Sequence, residues 1–331
     1  MKRRSLFAAA VVLVACAGAG AAGLAGQSAL VDAQHDYNTG RYNRAVDALN
    51  SAIAKSPDDA GLLGLLGESY YQLREYSRAA ASFERAIQLA PKVSEYHDWL
   101  GKAYGRRAEE SVFLGAMSWA RKTHREFEIA VELDPRNFEA QRDLIRYEMN
   151  APSVIGGGDE KAMKQIDELE KLDPIQGRLA RGEFLQTKRR FPEADAVFDK
   201  ILESNSDRAG VYFEAADYYR DRPNAAKKMS EAIDKGEQID PDDRRLKFYN
   251  GVLLVMEGKN PAEAEKLLRS YLTTVPDNSD LPPHAAAWEW LGKLYESLGR
   301  YSEASEEYRR SLNLDPHNRE VEEEYKRVQR K

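Results

Sequence analysis

Cysteine is almost absent from these 331 residues. The single one, Cys16, lies in an N-terminal apolar stretch, so the rest of the chain holds no internal disulfide and no cysteine-based zinc or iron–sulfur site. Histidine is sparse too: His35, His97, His124, His284 and His317 stand singly, never at the spacing that puts paired zinc ligands on one helix, and no His-Glu-x-x-His occurs. There is no Gly-x-Ser-x-Gly elbow and no Walker loop, and Asp277-Asn278-Ser279-Asp280 lacks the glycine and closing glutamate of a calcium loop. Gly156-Gly157-Gly158 opens a helical run, but no Lys-Ser/Thr follows, and Asp159 and Glu160 put negative charge where a phosphate would sit. An excess of base is also missing. The 49 Lys and Arg against 55 Asp and Glu leave a net charge of −6, three units more negative without Lys2, Arg3 and Arg4, which disfavours a nucleic-acid partner. These absences point to a non-enzyme with no metal and no cofactor.

With 42% hydrophobic and 31% charged residues, 22 Gly and 13 Pro, the chain suits a soluble globular or repeat protein rather than a polytopic membrane protein, a collagen or a disordered chain. One long apolar run stands out. After the basic Met1–Arg4, Leu6–Gly26 carries no charge, the layout of a bacterial export signal, and residues 1–26 are set apart from the fold. Its ending has several readings. Leu13-Val14-Ala15-Cys16 resembles a lipobox, with Cys16 as the lipidated residue. Ala19-Gly20-Ala21 offers an ordinary signal-peptidase site, and the whole run is long enough to remain as an anchor across a bilayer core of ~30 Å. Arg3-Arg4-Ser5-Leu6-Phe7 resembles a loose twin-arginine signal. Each ending places residues 27–331 outside the cytoplasm, in the periplasm or anchored to the envelope membrane facing it, with the N-terminus as the only membrane attachment.

Proline supplies the punctuation of the remainder: Pro57, Pro91, Pro135, Pro174, Pro241, Pro276 and Pro316, at gaps of 34, 44, 39, 67, 35 and 40. If the gap of 67 is two units, eight units appear. The last carries Trp288, Leu291, Gly292, Tyr295, Gly299, Tyr301, Ala304, Tyr308 and Pro316, and the second Leu66, Gly67, Tyr70, Tyr76, Ala79, Phe83, Ala86 and Pro91. This pattern resembles the tetratricopeptide repeat. Small residues at the eighth and twentieth places let two helices approach while large ones fill the gap, and proline ends the second helix. The resemblance implies an all-α fold, a right-handed α-solenoid of about eight antiparallel helix pairs. The units fall at 27–59, 60–93, 94–137, 138–174, 175–208, 209–243, 244–278 and 285–318, with a polar capping helix over 319–331. It also implies a protein or peptide partner held in the concave groove lined by the first helix of each pair.

Units three and four are long, by about ten and about five residues relative to a 34-residue repeat. Arg107–Lys122 reads as helix on both sides of Gly115, with Val112, Phe113, Leu114, Met117 and Trp119 as an apolar tip. Either the tip packs on Pro152–Gly158 of the next unit, or it is a docking edge for another envelope protein. The repeat phase places Lys102, Arg106, Arg142 and Arg146 on the groove face, with Asn150 nearby, resembling the carboxylate clamp of some family members. Asp98, Glu139 and Asp143 lie close enough to neutralise it. Tyr37, Tyr71, Trp99, Phe213, Phe248 and Trp290 fall on the same phase, divided between groove and core, while Glu214, Asp217 and Asp221 make unit six acidic and the groove bipolar. The functional expectation is a non-catalytic binding scaffold of the bacterial cell envelope that works through the groove. The alternatives are a scaffold that uses the elongated edge and, from another class, an envelope hydrolase or cofactor-biogenesis enzyme.

Overall fold

The computed structural model describes residues 21–274 and 281–331, except for the side chains of residues 21–29 and of Phe113. Cys16, Pro276 and the Asp277–Asp280 stretch lie outside the described residues. Seventeen α-helices and one short 3-10 turn, with no strand, make up the regular structure among the described residues.

Sixteen helices form eight consecutive pairs: α1 (Ala21–Asn38) with α2 (Tyr42–Ile53), α3 (Ala60–Gln72) with α4 (Tyr76–Leu89), α5 (Ser94–Glu109) with α6 (Phe113–Leu133), and α7 (Phe138–Asn150) with α8 (Asp159–Leu172). The next four are α9 (Pro174–Thr187) with α10 (Phe191–Leu202), α11 (Ala209–Arg220) with α12 (Ala226–Ile239), α13 (Leu246–Glu257) with α14 (Pro261–Thr274), and α15 (His284–Ser297) with α16 (Tyr301–Leu314). Each helix packs on its neighbours in sequence and each first helix also touches the next first helix, which is the layout of a helical solenoid. The expected eight-pair fold is therefore what forms.

The close approach within a pair is set by glycine. A Cβ on Gly67 would stand 2.7 Å from the Phe83 ring, one on Gly101 2.6 Å from Phe127, one on Gly182 2.6 Å from Phe198 and one on Gly292 2.5 Å from Tyr308. The aromatic ring at the twenty-fourth place thus occupies the volume that any side chain at the eighth would claim, so the two positions act as one packing unit. Asp59, Asn137, Asp173 and Asn318 each cap a helix by accepting backbone N–H bonds at 3.0–3.2 Å.

The last helix, α17 (Arg319–Val328), buries Val321 and Val328 against Tyr295, Ala304 and Tyr308 and turns most of its charges outward, as a solenoid cap must, while Glu324 is buried 3.6 Å from the Lys293 ammonium. The array also meets itself: the Arg74 guanidinium, in the turn between α3 and α4, donates to the Leu314 carbonyl at the end of α16 at 3.0 Å. No helix among the described residues is long and apolar enough to cross a membrane.

Candidate functional site

Successive first helices turn the same face inward, and residues four apart on that face stack along each helix. On α7, α9, α11 and α13 this face borders a cavity of about 610 Å³. Its wall includes Arg142, Arg146, Glu183, Gln186, Glu214 and Asp217, and Leu281, Pro282 and Pro283 from the connection into α15 close one side.

Of the predicted clamp residues, Arg142 and Arg146 line this cavity, Lys102 and Arg106 belong to α5 outside its lining, and each of these four cations has a carboxylate. Lys102 Nζ lies 2.8 Å from Asp98, 3.1 Å from Asp143 and 3.9 Å from Glu139. Arg146 reaches Asp143 at 3.3 Å and Glu183 at 2.6 Å, and Arg142 reaches Glu183 at 3.3 Å and Glu214 at 2.6 Å. Arg106 pairs with Glu109 at 2.7 Å and donates to the Tyr76 hydroxyl. Asn150 stays outside this set, donating to the carbonyl of Arg146 on its own helix. A ladder of alternating charge therefore runs from α5 across α7 and α9 to α11.

The expected division into a basic and an acidic half is not what forms. Glu214 belongs to Arg142, and Asp217 and Asp221 both bind Arg220, at 2.6 and 2.8 Å, with the Tyr249 hydroxyl donating to Asp217 as well. Opposite charges on neighbouring helices interleave because leaving either sign unpaired at this depth is costly.

Burial leaves its mark on the ladder. It raises the Asp98 carboxyl to about 7, against the attraction of Lys102 and with a further push from Asp143. Burial opposes the Lys102 ammonium too, but Asp143 and Asp98 outweigh it and hold that pKa above the ordinary lysine value. Glu214 and Asp217 are likewise raised, by burial first, against the pull of Arg142 and Arg220.

The aromatic residues divide as their surroundings require. Phe213 and Phe248 are fully buried, and Tyr37 nearly so, which makes them core. Tyr71 and Trp99 are half-buried: Trp99 meets Tyr71 edge-on at 5.3 Å and Phe83 face-on at 6.1 Å, with Lys102 4.7 Å above its ring. They border the ladder at its α5 end.

The elongated edge has a different character. The break in repeat three falls at 110–112, not at Gly115, which sits in the first turn of α6. Val112 and Leu114 are 88% and 77% exposed. Met117 and Trp119 are half-buried, and Trp119 packs back on its own hairpin, with its ring 5.2 Å from Tyr104, the Arg107 guanidinium 3.6 Å above it and Lys122 at 4.6 Å. The Phe113 side chain lies outside the described part of the structure. Among the described side chains, Val112 and Leu114 do not pack on 152–158, since both stay exposed. That segment folds onto α7 instead, through Tyr147 to Ile155 and Gly158 to Glu148, and meets α6 at His124. The amides of Gly156, Gly157 and Gly158 all donate to backbone carbonyls, so none faces an anion.

His97 is buried between α5 and α6, with Nδ1 2.7 Å from Glu126 and Nε2 3.2 Å from the Pro91 carbonyl, and so does not reach the groove. No group of three His, Cys, Asp or Glu among the described residues is placed to hold a metal. Sequence reasoning did not single out Glu183, Arg220, Arg245 or Tyr249. Glu183 and Arg220 sit at the ninth and twelfth places of their units, so phase was the available signal, but units five to seven keep too few consensus residues to make it loud.

Residues 30–94 and 285–318 match the family described as tetratricopeptide repeat, so the chain carries such repeats near both ends of its array. It is 24% identical over 268 residues to human intraflagellar transport protein 70B, an overlap of 74% of this chain and 38% of that protein. The chain thus matches well under half the length of this curated relative. Among solved structures it is similar to a thermophilic TPR protein of Thermus thermophilus (16% identity, TM-score 0.46, 69% of this chain and 99% of that one). A tetratricopeptide repeat protein of Parabacteroides merdae is similar at 15% identity and a TM-score of 0.44, over 93% and 100% of the two chains.

Proposed function

We propose that this chain is a non-catalytic scaffold that captures an extended peptide or helix of a partner protein in the concave groove of repeats four to seven. Tetratricopeptide-repeat proteins generally act as protein-binding scaffolds and are typically non-catalytic. The observation that carries the reading is the cavity of about 610 Å³ on the first-helix face, walled by charged groups fixed in place by their neighbours. A preorganised wall lowers the ordering cost of binding. The setting we propose is the bacterial envelope, with the chain exported. This rests on the basic start and the uncharged Leu6–Gly26 run, with Cys16 as the lipidation site if the lipobox reading holds.

The test is photo-cross-linking in cells from benzoylphenylalanine placed at Gln186, which lines the cavity, with Glu323 on α17 as the control position. One dominant product from position 186, lost when Asp221→Trp narrows the mouth, is the expected result. The same products from both positions, or none from 186, would overturn the groove reading. The second reading, a scaffold that meets a partner protein through the repeat-three edge, starts from the exposure of Val112 and Leu114 there.

A further inference from the structure

The hairpin of repeat three combines three features. First, it protrudes. Its second helix has 21 residues where the second helices of the other pairs have 12 or 14, so at 1.5 Å per residue the tip stands about 10 Å beyond the rest of that edge. Secondly, the described side chains of the apex are aliphatic and bare, with Val112 and Leu114 the most exposed large hydrophobic residues among those described.

Thirdly, the hairpin is basic within an acidic chain. From 105 to 125 it carries Arg106, Arg107, Arg121, Lys122 and Arg125 against Glu109 and Glu110, while the whole chain is at −6. Arg106 and Glu109 satisfy each other, and Glu110 is exposed near the apex. Arg107, Arg121, Lys122 and Arg125 have no carboxylate within 4.0 Å among the described residues, in contrast to the groove cations. Trp119, about 9 Å down α6 from the apex, lies between Arg107 and Lys122.

We propose that this hairpin docks on an anionic lipid surface, with Val112 and Leu114 entering the headgroup layer and the unpaired cations lying over lipid phosphates. The shape selects lipid over an acidic protein. A narrow convex apex offers far less than the roughly 800 Å² that a stable protein interface takes from each partner, whereas a fluid bilayer closes around a point. The vertical order also fits, with aliphatic residues deepest, then a tryptophan at interfacial depth, and Arg121 and Lys122 about 12 to 14 Å along α6 from the apex, which brings these two within a Debye length of about 10 Å of the phosphates once the apex enters the headgroup layer. This proposal uses none of the groove residues and stands or falls separately from the groove reading.

The full chain also contains the apolar Leu6–Gly26, so sedimentation with vesicles alone does not identify the contact. The test therefore reads the environment at the apex. A Cys16→Ser/Leu114→Cys chain carries an NBD label at 114, and a Cys16→Ser/Glu323→Cys chain carries it on α17. Both are mixed with vesicles of phosphatidylcholine alone or with phosphatidylglycerol. The expected result is a blue shift at 114, quenched by acyl-chain nitroxides, with phosphatidylglycerol only, and no change at 323. Each surface cation near an anionic leaflet is worth about 1 kcal/mol, or about fivefold, so Arg121→Gln/Lys122→Gln lowers the 114 response about 25-fold at an unchanged melting temperature. A 114 label that stays aqueous while the chain sediments, or that responds equally to neutral vesicles, overturns the proposal. Shielding of 114 by polyglutamate without lipid overturns it in favour of an acidic protein.

Discussion

The Asp98 carboxyl offers a direct reading of how the groove is held together. It is 3% exposed, shares Lys102 with Asp143, and has its pKa raised by burial to about 7 from an ordinary 3.8. A raised carboxyl pKa means that the folded chain holds the proton more tightly than the unfolded chain. The resulting stability is fully present below pH 3.8, declines as pH rises through that window, and is gone above about 7.

At 1.36 kcal/mol per unit, the rise from pH 4.5 to 7.5 removes about 3 kcal/mol. Asp98→Asn cannot titrate but keeps an oxygen toward the Lys102 ammonium, so the variant lacks this decline. Relative to wild type, the Asp98→Asn chain should therefore gain about 3 kcal/mol across that interval, whatever the offset at its acid end. Repeat arrays need not unfold in one step, so the assay should be local: hydrogen exchange of the α5 and α7 amides in both chains at a series of pH values, corrected for the intrinsic rate. A difference that is constant with pH, or that runs the other way, would refute the reasoning and show Asp98 ionised throughout.

Two further outcomes follow from the packing. Arg142→Met removes the ion partner of Glu214 and should cost about 3–5 kcal/mol in urea unfolding, and adding Glu214→Gln should recover at least half of that, because the penalty is an uncompensated buried charge. If the double variant is no more stable than the single, the Arg142–Glu214 pair is not where the cost arises. Gly292→Ala puts a methyl 2.5 Å from the fully buried Tyr308 ring and should lower stability by about 1–3 kcal/mol despite the better helix propensity of alanine. Tyr308→Leu in the same chain should relieve part of the loss, and an unchanged melting temperature for Gly292→Ala alone would contradict the contact.

Most of the fold was legible because the repeat writes its packing into small residues at fixed places. Gly67 with Phe83 and Gly292 with Tyr308 are readable as pairs before any coordinates exist. The groove was legible by position and not by pairing. Phase put Arg142 and Arg146 on the concave face, but their partners Glu183 and Glu214 come from the next two units, 37 to 72 residues along the chain, where degenerate repeats blur the phase. The edge was legible in length and composition. The turn was misplaced at Gly115 because the glycine lies in the first helical turn of α6, where the helix tolerates it, while the chain reverses over 110–112.

The pairing changes what kind of ligand the groove suits. Had Lys102, Arg142 and Arg146 been free, a terminal carboxylate would have gained charge-assisted bonds outright. As built, each guanidinium already binds a carboxylate, so an incoming acid must compete with Glu183 or Glu214, and an incoming base with Arg142 or Arg220. Simple charge attraction then contributes little to affinity. What remains is shape, the apolar surface of Leu281 and Pro283 on the cavity wall, and hydrogen bonds to groups whose positions the ladder fixes. A partner that satisfies both signs at the right spacing is favoured over one that merely carries charge, and a ladder of matched pairs enforces that choice by making every mismatch an unpaired buried ion.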